Sequence, residues 1–290
     1  MVDPISTTRS ADQQSTASDP RLIVVAPTFY SNASDIRYAL ALESCKKAAE
    51  QSIEFVFIDA SPSQAIRDGL EEAGRGFVTV FSQTSKGKKG AALREGIRIA
   101  SERLKGNSDN DVVSGQRRAI IGFQEPEKFD MIRHWKSIAR HAIESQSDIV
   151  VARRRDEEFR STYPIEQYHS EQFANMFLDS LGKQMGLPSI DWTAGPIALD
   201  ASMAATWLSC TGEIWDAQLV PIIDCFLNRK ATVTSFEVDY HHPESMKKEE
   251  GGNSTFNEKR LHQLNFLSET VGQRMRESVP SFVGTKPNTP

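Results

Sequence analysis

The chain of 290 residues is long enough to bury the core of one large α/β domain or two small ones. Its net charge of -5, without a Lys/Arg run, excludes a general nucleic-acid-binding protein, and its three widely spaced cysteines argue against a zinc site or a disulfide framework. No apolar run approaches the roughly 20 residues that span a bilayer, so we expect a cytoplasmic protein without an integral membrane segment.

Both ends of the chain are poor in residues that a core would bury. Residues 1–20 are rich in Ser, Thr, Asp and Gln, and the last ten residues have a similar polar character. We therefore expect a disordered tail over residues 1–20, a folded domain over residues 21–275 and a flexible tail over residues 276–290.

The folded part alternates apolar runs with amphipathic stretches, which is the pattern of βαβ units. Strands are predicted at residues 21–27, 53–59, 77–83, 119–123, 147–154 and 231–240. Helices are predicted at residues 35–51, 63–74, 86–104, 129–145, 169–185 and 216–230, with one more near the end of the chain. The economical arrangement is one sheet with helices on both faces.

The residues that follow the strands are the candidates for chemistry, because open α/β sheets bind ligands at the carboxyl ends of their strands. Thr28 can bond a ribose or a base, and Asp59 can accept from a base N–H. Lys86, Lys88 and Lys89 accompany two glycines at a strand-to-helix junction, which suits an anion. Alternatively, Asp59 caps a turn and the lysines form a solvated helix start.

Three common nucleotide and hydrolase motifs are absent. The lysine-rich junction is not GxxxxGK[ST], so a P-loop is excluded by pattern. The first strand exit gives no GxGxxG, and no GxSxG nucleophile elbow occurs. A nucleotide site here must therefore be of another kind.

Five segments match a known family in order and spacing. Residues 86–96, KGKKGAALREG, resemble the family pattern N-x-G-K-G-A-A-L-x-x-G, which is the most specific match. The other matches are residues 26–30, 58–61, 148–153 and 191–196, for I-P-T-Y-N, D-D-G-S, A-D-V-V-x-G-S-R and D-x-T-S-G-F. On these segments the chain resembles the family-2-like glycosyltransferases of the GT-A fold, in a layout like that of dolichol-phosphate mannosyltransferase.

The resemblance implies a Rossmann-like α/β domain with a mixed, mostly parallel sheet, divided into a nucleotide-binding half (residues 21–128) and an acceptor half (residues 129–275). It implies transfer of a hexose from a GDP- or UDP-linked sugar to an acceptor that is a small molecule, a glycan or a lipid. Inversion and retention of configuration both remain open. The implied nucleotide-sugar contacts are Pro27, Thr28, Tyr30, Asp59, Lys86, Lys88, Gln124 and Arg153.

The main departure from the family lies at the end of the fourth strand. Such enzymes carry D-x-D there, whose carboxylates hold Mg²⁺ or Mn²⁺ on the nucleotide diphosphate. Here residues 123–127 read FQEPE. Either Glu125, alone or with Glu127, replaces the aspartates as metal ligand, or lysine and arginine side chains neutralise the diphosphate without a metal. In a third interpretation, Pro126 and Glu127 only begin a helix.

The second half of the chain offers further candidates. His241 or His242, after the last strand, can complete a metal shell, although adjacent histidines in a strand point to opposite faces. Asp191 can bond donor sugar hydroxyls or cap a turn. Asp216 can be the base of an inverting transfer or the N-cap of a helix. The charged stretch at residues 153–172, which begins at Arg153, closes over the donor or acceptor or is a solvated loop.

The expected function is therefore a nucleotide-sugar-dependent glycosyltransferase with a divalent metal, Mn²⁺ or Mg²⁺. The alternative is a binding module of the same fold that has lost catalysis together with its aspartate pair. The two hypotheses differ in whether Glu125 faces the same cleft as Asp59 and Asp216.

Overall fold

The computed structural model describes residues 20–106 and 118–278. The tail predicted for residues 1–20 lies outside the described residues except for Pro20, and so does most of the tail predicted for residues 276–290. Residues 276–278 belong to the last helix, which ends at Ser278.

A seven-stranded sheet forms the centre of the described chain, in the order β3-β2-β1-β4-β6-β5-β7. All neighbouring strands are parallel except β6, which is antiparallel to both β4 and β5. The strands are β1 (Arg21–Thr28), β2 (Glu54–Asp59), β3 (Val78–Ser82), β4 (Ala119–Phe123), β5 (Ile149–Arg154), β6 (Ile197–Asp200) and β7 (Val233–Val238). This confirms the predicted mixed, mostly parallel sheet.

Ten α-helices and two short 3-10 helices surround the sheet within the described residues. The α-helices are α1 (Ile36–Gln51), α2 (Gln64–Ala73), α3 (Lys89–Gly106), α4 (Trp135–Glu144), α5 (Asp156–Thr162), α6 (Ile165–Gln184), α7 (Ala204–Ser209), α8 (Asp216–Arg229), α9 (Glu244–Glu250) and α10 (Ser254–Ser278). The 3-10 helices are Phe129–His134 and Ala201–Met203. None of the helices described is long and apolar enough to cross a membrane.

The core lies in two layers, one on each face of the sheet. One layer joins the sheet to α3, α7, α8 and α10, and the other joins it to α1, α2 and α4. Helix α3 approaches the sheet closely at Gly96, where a Cβ would stand 2.3 Å from Cγ1 of Val25. A glycine is therefore required there, and it lets the middle of α3 lie against Val25 of β1 and Ile58 of β2.

Two parts of the sequence-based prediction need correction. The four-residue strand β6 was not predicted, because the apolar run of Ile197–Asp200 is too short to stand out from its surroundings. The polar stretch at residues 153–172 is not a loop. It forms α5 and the start of α6, and the buried side chain of Phe159 anchors it to the core.

Candidate functional site

One cleft of about 580 Å³ opens at the carboxyl edge of the parallel strands. Pro27, Thr28 and Tyr30 after β1 line one end, and Lys88 and Lys89 at the start of α3 lie beside them. Segments from the second half of the described chain, including residues 191–195 and the helices α6, α9 and α10, line the other end. The two halves of the predicted domain therefore share a single cleft, at the edge where open α/β sheets bind ligands.

Glu125 lies in this cleft between two lysines. Its Oε1 accepts a hydrogen bond from Nζ of Lys89 at 2.8 Å, and Nζ of Lys128 forms an ion pair with Oε2 at 3.1 Å. Lys128 also donates to the backbone carbonyl of Ala194, and Lys89 donates to Oε1 of Gln218 at 3.3 Å. The exit of β4 thus carries two cations and one carboxylate in direct contact.

The electrostatics of this cluster favour the charged form of Glu125. Burial alone would raise the pKa of its carboxyl group, but the ammonium groups of Lys128 and Lys89 reverse this effect and hold the pKa well below its usual value. Burial, and then the negative charge of Glu125, raise the pKa of Glu127. Glu127 also lines the cleft, so the two glutamates have opposite electrostatic environments.

Gly195 forms the floor beneath Glu125. Its φ is +92°, and a Cβ at this position would stand 2.5 Å from Oε2 and 2.8 Å from Oε1 of Glu125. Both the backbone conformation and the close approach of the carboxylate require glycine here. The segment before β6 is consequently pressed against the exit of β4.

Asp59 does not reach the cleft surface. Its side chain is fully buried, Oδ1 accepts hydrogen bonds from the hydroxyls of Thr28 at 2.7 Å and Ser61 at 2.6 Å, and Oδ2 pairs with Arg67 at 3.2 Å. Thr28 itself lines the cleft. Asp59 therefore organises the exits of β1 and β2 from below and does not face a ligand directly.

Asp191 is engaged in a buried network with Arg154. The guanidinium forms a two-pronged pair with Asp191, with Nε to Oδ2 and Nη2 to Oδ1 both at 2.9 Å, and Nη1 donates to Glu171 at 2.6 Å. Burial would raise the pKa of Asp191, but the charge and hydrogen bonds of Arg154 lower it to about 2. Asp191 lines the cleft as part of this network.

Several other predicted contacts lie away from the cleft. Gln124 is fully buried and accepts a hydrogen bond from Nε1 of Trp135 at 2.5 Å. Lys86 is exposed and does not line the cleft. Arg153 is also exposed, and Arg154 occupies the cleft instead. Successive strand residues point to opposite faces, and Arg154 falls on the same face as the core layer that contains Phe159.

The predicted base Asp216 is the first residue of α8, and its carboxylate accepts backbone hydrogen bonds there. Its Oδ1 accepts from the backbone N–H groups of Glu213, Ile214 and Ala217 at 2.9–3.1 Å. It does not line the cleft, whereas the preceding residue, Trp215, does. Trp215 is the N-cap of α8, so Asp216 is not the predicted cap, and its carboxylate instead ties the turn before α8 to the start of the helix.

The two histidines follow β7, which ends at Val238, and one of them lines the cleft. His242 lines the cleft and its Nε2 lies 3.1 Å from Oε2 of Glu250. His241 is exposed outside the cleft, with Nδ1 3.5 Å from Asp130. Only His242 faces the same cleft as Glu125.

Six buried polar atoms of cleft residues accept or donate no hydrogen bond within the part of the chain that the structure describes. They are Oη of Tyr30, Oε2 of Glu125, Oε1 of Gln167, Nε2 of Gln218, Nδ1 of His242 and Nε of Arg260. Oε2 of Glu125 has Lys128 beside it as an ion-pair partner, but outside hydrogen-bond geometry. Because buried polar atoms nearly always have partners, this set suits a polar ligand.

Solved structures of similar fold were found, although no family model and no curated protein sequence matches the chain. One is glucosyl-3-phosphoglycerate synthase from Mycobacterium tuberculosis in complex with Mn²⁺, UDP-glucose and phosphoglyceric acid, with a TM-score of 0.51 and 14% identity over 87% of this chain and 80% of that chain. The same enzyme with Mn²⁺, UDP and phosphoglyceric acid has a TM-score of 0.50 and 13% identity over 91% of this chain and 80% of that chain.

A third similar structure, described as a mycobacterial protein, has a TM-score of 0.52 and 12% identity over 87% of this chain and 75% of that chain. The chain has the GT-A fold. The TM-scores of 0.50 to 0.52 support the shared fold. Identities of 12–14% do not transfer the activity of those proteins to this GT-A chain, whose function has to be argued from the residues of its own cleft.

The Mn²⁺ in the similar structures raises the question of whether this cleft also fits a divalent metal. No group of three or more His, Cys, Asp or Glu side chains that could hold a metal occurs among the described residues. Oε2 of Glu125, however, is a charged acceptor without a hydrogen bond. Mg²⁺-like ions are often held by one or two carboxylates together with substrate phosphates. Glu125 would be the protein ligand of a metal that arrives with a phosphorylated ligand, although the ammonium groups of Lys89 and Lys128 already contact both of its oxygens.

Sequence reasoning gave no separate role to three residues that the structure brings to this site. Lys128 and Gly195 contact Glu125, and Arg154 holds Asp191. Lys128 had a usable signal, since it lies three residues after Glu125 in the stretch that breaks from strand to helix. No sequence signal distinguished Arg154 from its two arginine neighbours.

Proposed function

We propose that this GT-A protein is a glycosyltransferase that moves a sugar from a nucleoside diphosphate sugar to an acceptor. The observation that carries the proposal is the Lys89–Glu125–Lys128 cluster at the exit of β4, in the cleft of the fold. Two ammonium groups at this position supply the positive charge that a departing diphosphate needs.

The nucleoside end of the donor fits the exits of β1 and β2. Pro27, Thr28 and Tyr30 line that end of the cleft, and Oη of Tyr30 has no partner among the described residues. Asp59 supports this surface through Thr28 and Ser61. The UDP and UDP-glucose bound in the similar structures support a uridine donor as the first to test, with GDP-linked sugars next.

A divalent metal would be held by Glu125 and would neutralise part of the diphosphate charge. His242 faces the same cleft, but Glu250 already engages its Nε2. The residues of the chain contribute in other ways. Lys89 and Lys128 orient the charged oxygens, and Gln218, whose Nε2 has no described partner, offers a neutral donor beside them.

Fewer residues are available to take the proton of the acceptor than the sequence suggested. Asp191 is committed to Arg154, and Asp216 accepts backbone hydrogen bonds at the start of α8, outside the cleft. These two observations favour a second candidate function, a module that binds nucleotide sugars without transferring them. Both functions share the donor site and differ only in turnover.

A donor screen separates the two functions. Binding of UDP, GDP and their sugar conjugates is measured by calorimetry with and without Mn²⁺, and sugar release is followed in the same samples. We expect tight binding by the wild type and at least about tenfold weaker binding by Lys89→Met, which loses a charge-assisted contact. Lys46→Met, on the exposed face of α1 and paired only with Glu43, is the matched control and should bind normally.

Three outcomes of this screen are informative. Binding with sugar release supports the transferase, and binding without release under any metal condition supports the binding module. No binding of any nucleoside diphosphate by the wild type refutes both functions.

A further inference from the structure

Arg154 holds a continuous set of contacts that reaches Glu125 through the backbone. Its guanidinium is buried, with the side chain 4% exposed, and stacks over the ring of Phe159 at 3.7 Å. Nη2 donates both to Asp191 and to Oγ1 of Thr193, the latter at 2.7 Å. The planar fork of an arginine fixes such a pair in one orientation.

Asp191 links Arg154 to the segment that precedes β6. Its Oδ1 accepts from the backbone N–H of Thr193 at 3.3 Å and from Nδ2 of Asn175 at 2.8 Å. Two residues further on, Gly195 lies against the carboxylate of Glu125. Between them, the carbonyl of Ala194 accepts from Lys128. The turn at residues 191–195 therefore touches two members of the charged cluster at the exit of β4.

Glu171 provides an internal comparison. It is the second carboxylate partner of Arg154, and its side chain is as buried as that of Asp191, at 5% exposure each. It lies on α6, however, and its other contacts are Arg260 at 3.1 Å and Gln167 at 2.8 Å. Glu171 also lines the cleft, but apart from Arg154 none of these contacts leads to the turn at residues 191–195.

We infer that Arg154 and Asp191 are positioning residues for the donor site: they hold the turn at residues 191–195 so that Gly195 and Ala194 fix Glu125 and Lys128 in place. Neither side chain is required to touch the donor. The inference rests on the proposed donor site for its readout, and it assigns to Asp191 an indirect role instead of the predicted contact with sugar hydroxyls.

The test compares Asp191→Asn with Glu171→Gln. Each variant removes one negative charge from the same buried arginine, so both should lower the melting temperature by a similar amount. Only Asp191→Asn should also weaken the binding of the nucleoside diphosphate, by about tenfold or more, because it releases the turn beneath Glu125. Affinities are measured by calorimetry with free UDP and free GDP, which lack the sugar that Asp191 was predicted to contact.

A milder variant keeps the test decisive if Asp191→Asn fails to fold. Asn175→Ala removes one hydrogen bond to Asp191 from outside the cleft, and it should weaken diphosphate binding by about threefold in the same direction, as expected for one lost hydrogen bond. A double variant, Asp191→Asn with Glu125→Gln, should lose less affinity than the sum of the two single losses, since both changes act through the same charged cluster.

Each result has a defined meaning. Equal weakening by Asp191→Asn and Glu171→Gln, or normal binding by both, overturns the positioning role while the donor site stands. Additive losses in the double variant also overturn it. If the wild type binds neither nucleotide, the proposed function fails and the positioning role fails with it.

Discussion

The carboxylate of Glu125 lies where a Cβ of residue 195 would stand, 2.5 Å from its Oε2, so Gly195 leaves room for it. Glu125 follows β4, and Gly195 precedes β6, the strand that pairs with β4 in the antiparallel direction. A side chain at residue 195 and a carboxylate at residue 125 cannot occupy this space together.

Gly195→Ala should therefore cost more stability than the backbone conformation alone explains. Gly76→Ala is the matched control, because Gly76 has a similar φ of +86° but nothing within 4 Å of an added Cβ. We expect Gly76→Ala to lower the free energy of unfolding by about 1 kcal/mol, as a residue forced into the left-handed region does. Gly195→Ala should lose at least about 1 kcal/mol more, the usual cost of overpacking. Urea denaturation of both variants checks this, and equal losses would show that Glu125 simply moves aside.

Asp59 should be a stability residue. Replacing it with Ala leaves Arg67 without its buried partner and Thr28 and Ser61 without an acceptor, so we expect a loss of about 3 kcal/mol in the free energy of unfolding. Asp68→Ala, an exposed aspartate on the same helix as Arg67, is the control and should change it by less than about 0.5 kcal/mol. A small loss for Asp59→Ala, comparable to that of the control, would contradict the buried role.

The stability that Asp191 contributes should depend on pH in a defined window. Its pKa in the folded protein is about 2, below the ordinary value of 3.8, so the contribution is present above pH 3.8 and disappears as the pH falls through 2. The difference in unfolding free energy between the wild type and Asp191→Asn should be constant from pH 7 to about pH 5 and shrink below about pH 4. Urea titrations at several pH values measure it. A difference that grows as the solution is acidified would reverse the assigned sign.

Asp216→Asn distinguishes a structural role of Asp216 at the start of α8 from a role as general base. Asparagine keeps the Oδ1 acceptor that three backbone N–H groups use, so a structural role predicts a change below about 0.5 kcal/mol in stability and little change in turnover. A general base would lose about a hundredfold or more in turnover rate, because asparagine cannot accept the proton. Stability and single-turnover sugar transfer are measured on the same preparation. Asp216→Ala, which removes the acceptor of three backbone N–H groups, should destabilise by about 1 kcal/mol in either case.

Much of the fold was readable from the sequence because its signals are local. The long apolar runs of β1, β2 and β5 and the amphipathic helices between them define parallel strands without knowledge of the rest of the chain. The strand β6 escaped because four residues give too little periodicity, and because its reversed direction is set by its partners β4 and β5.

The site was less readable, since its decisive contacts join residues far apart in the sequence. Asp191 looked available for a sugar because its partner, Arg154, lies 37 residues away. The cleft face of Glu125 could be placed at the exit of β4, but its two lysine contacts and the glycine beneath it depend on how α3 and the turn before β6 converge there. The burial of a side chain and the identity of its partner decide such roles, and local composition predicts neither.

The position of β6 has a consequence for folding during synthesis on the ribosome. β6 lies between β4 and β5, although it is synthesised after both. The nascent chain therefore emerges with an open edge on β4 and with β5 unpaired until residues 197–200 leave the exit tunnel. Open strand edges invite pairing with other chains. A chain released before Ile197 should accordingly aggregate or recruit chaperones, because the edge of β4 stays uncovered until this short late strand has formed.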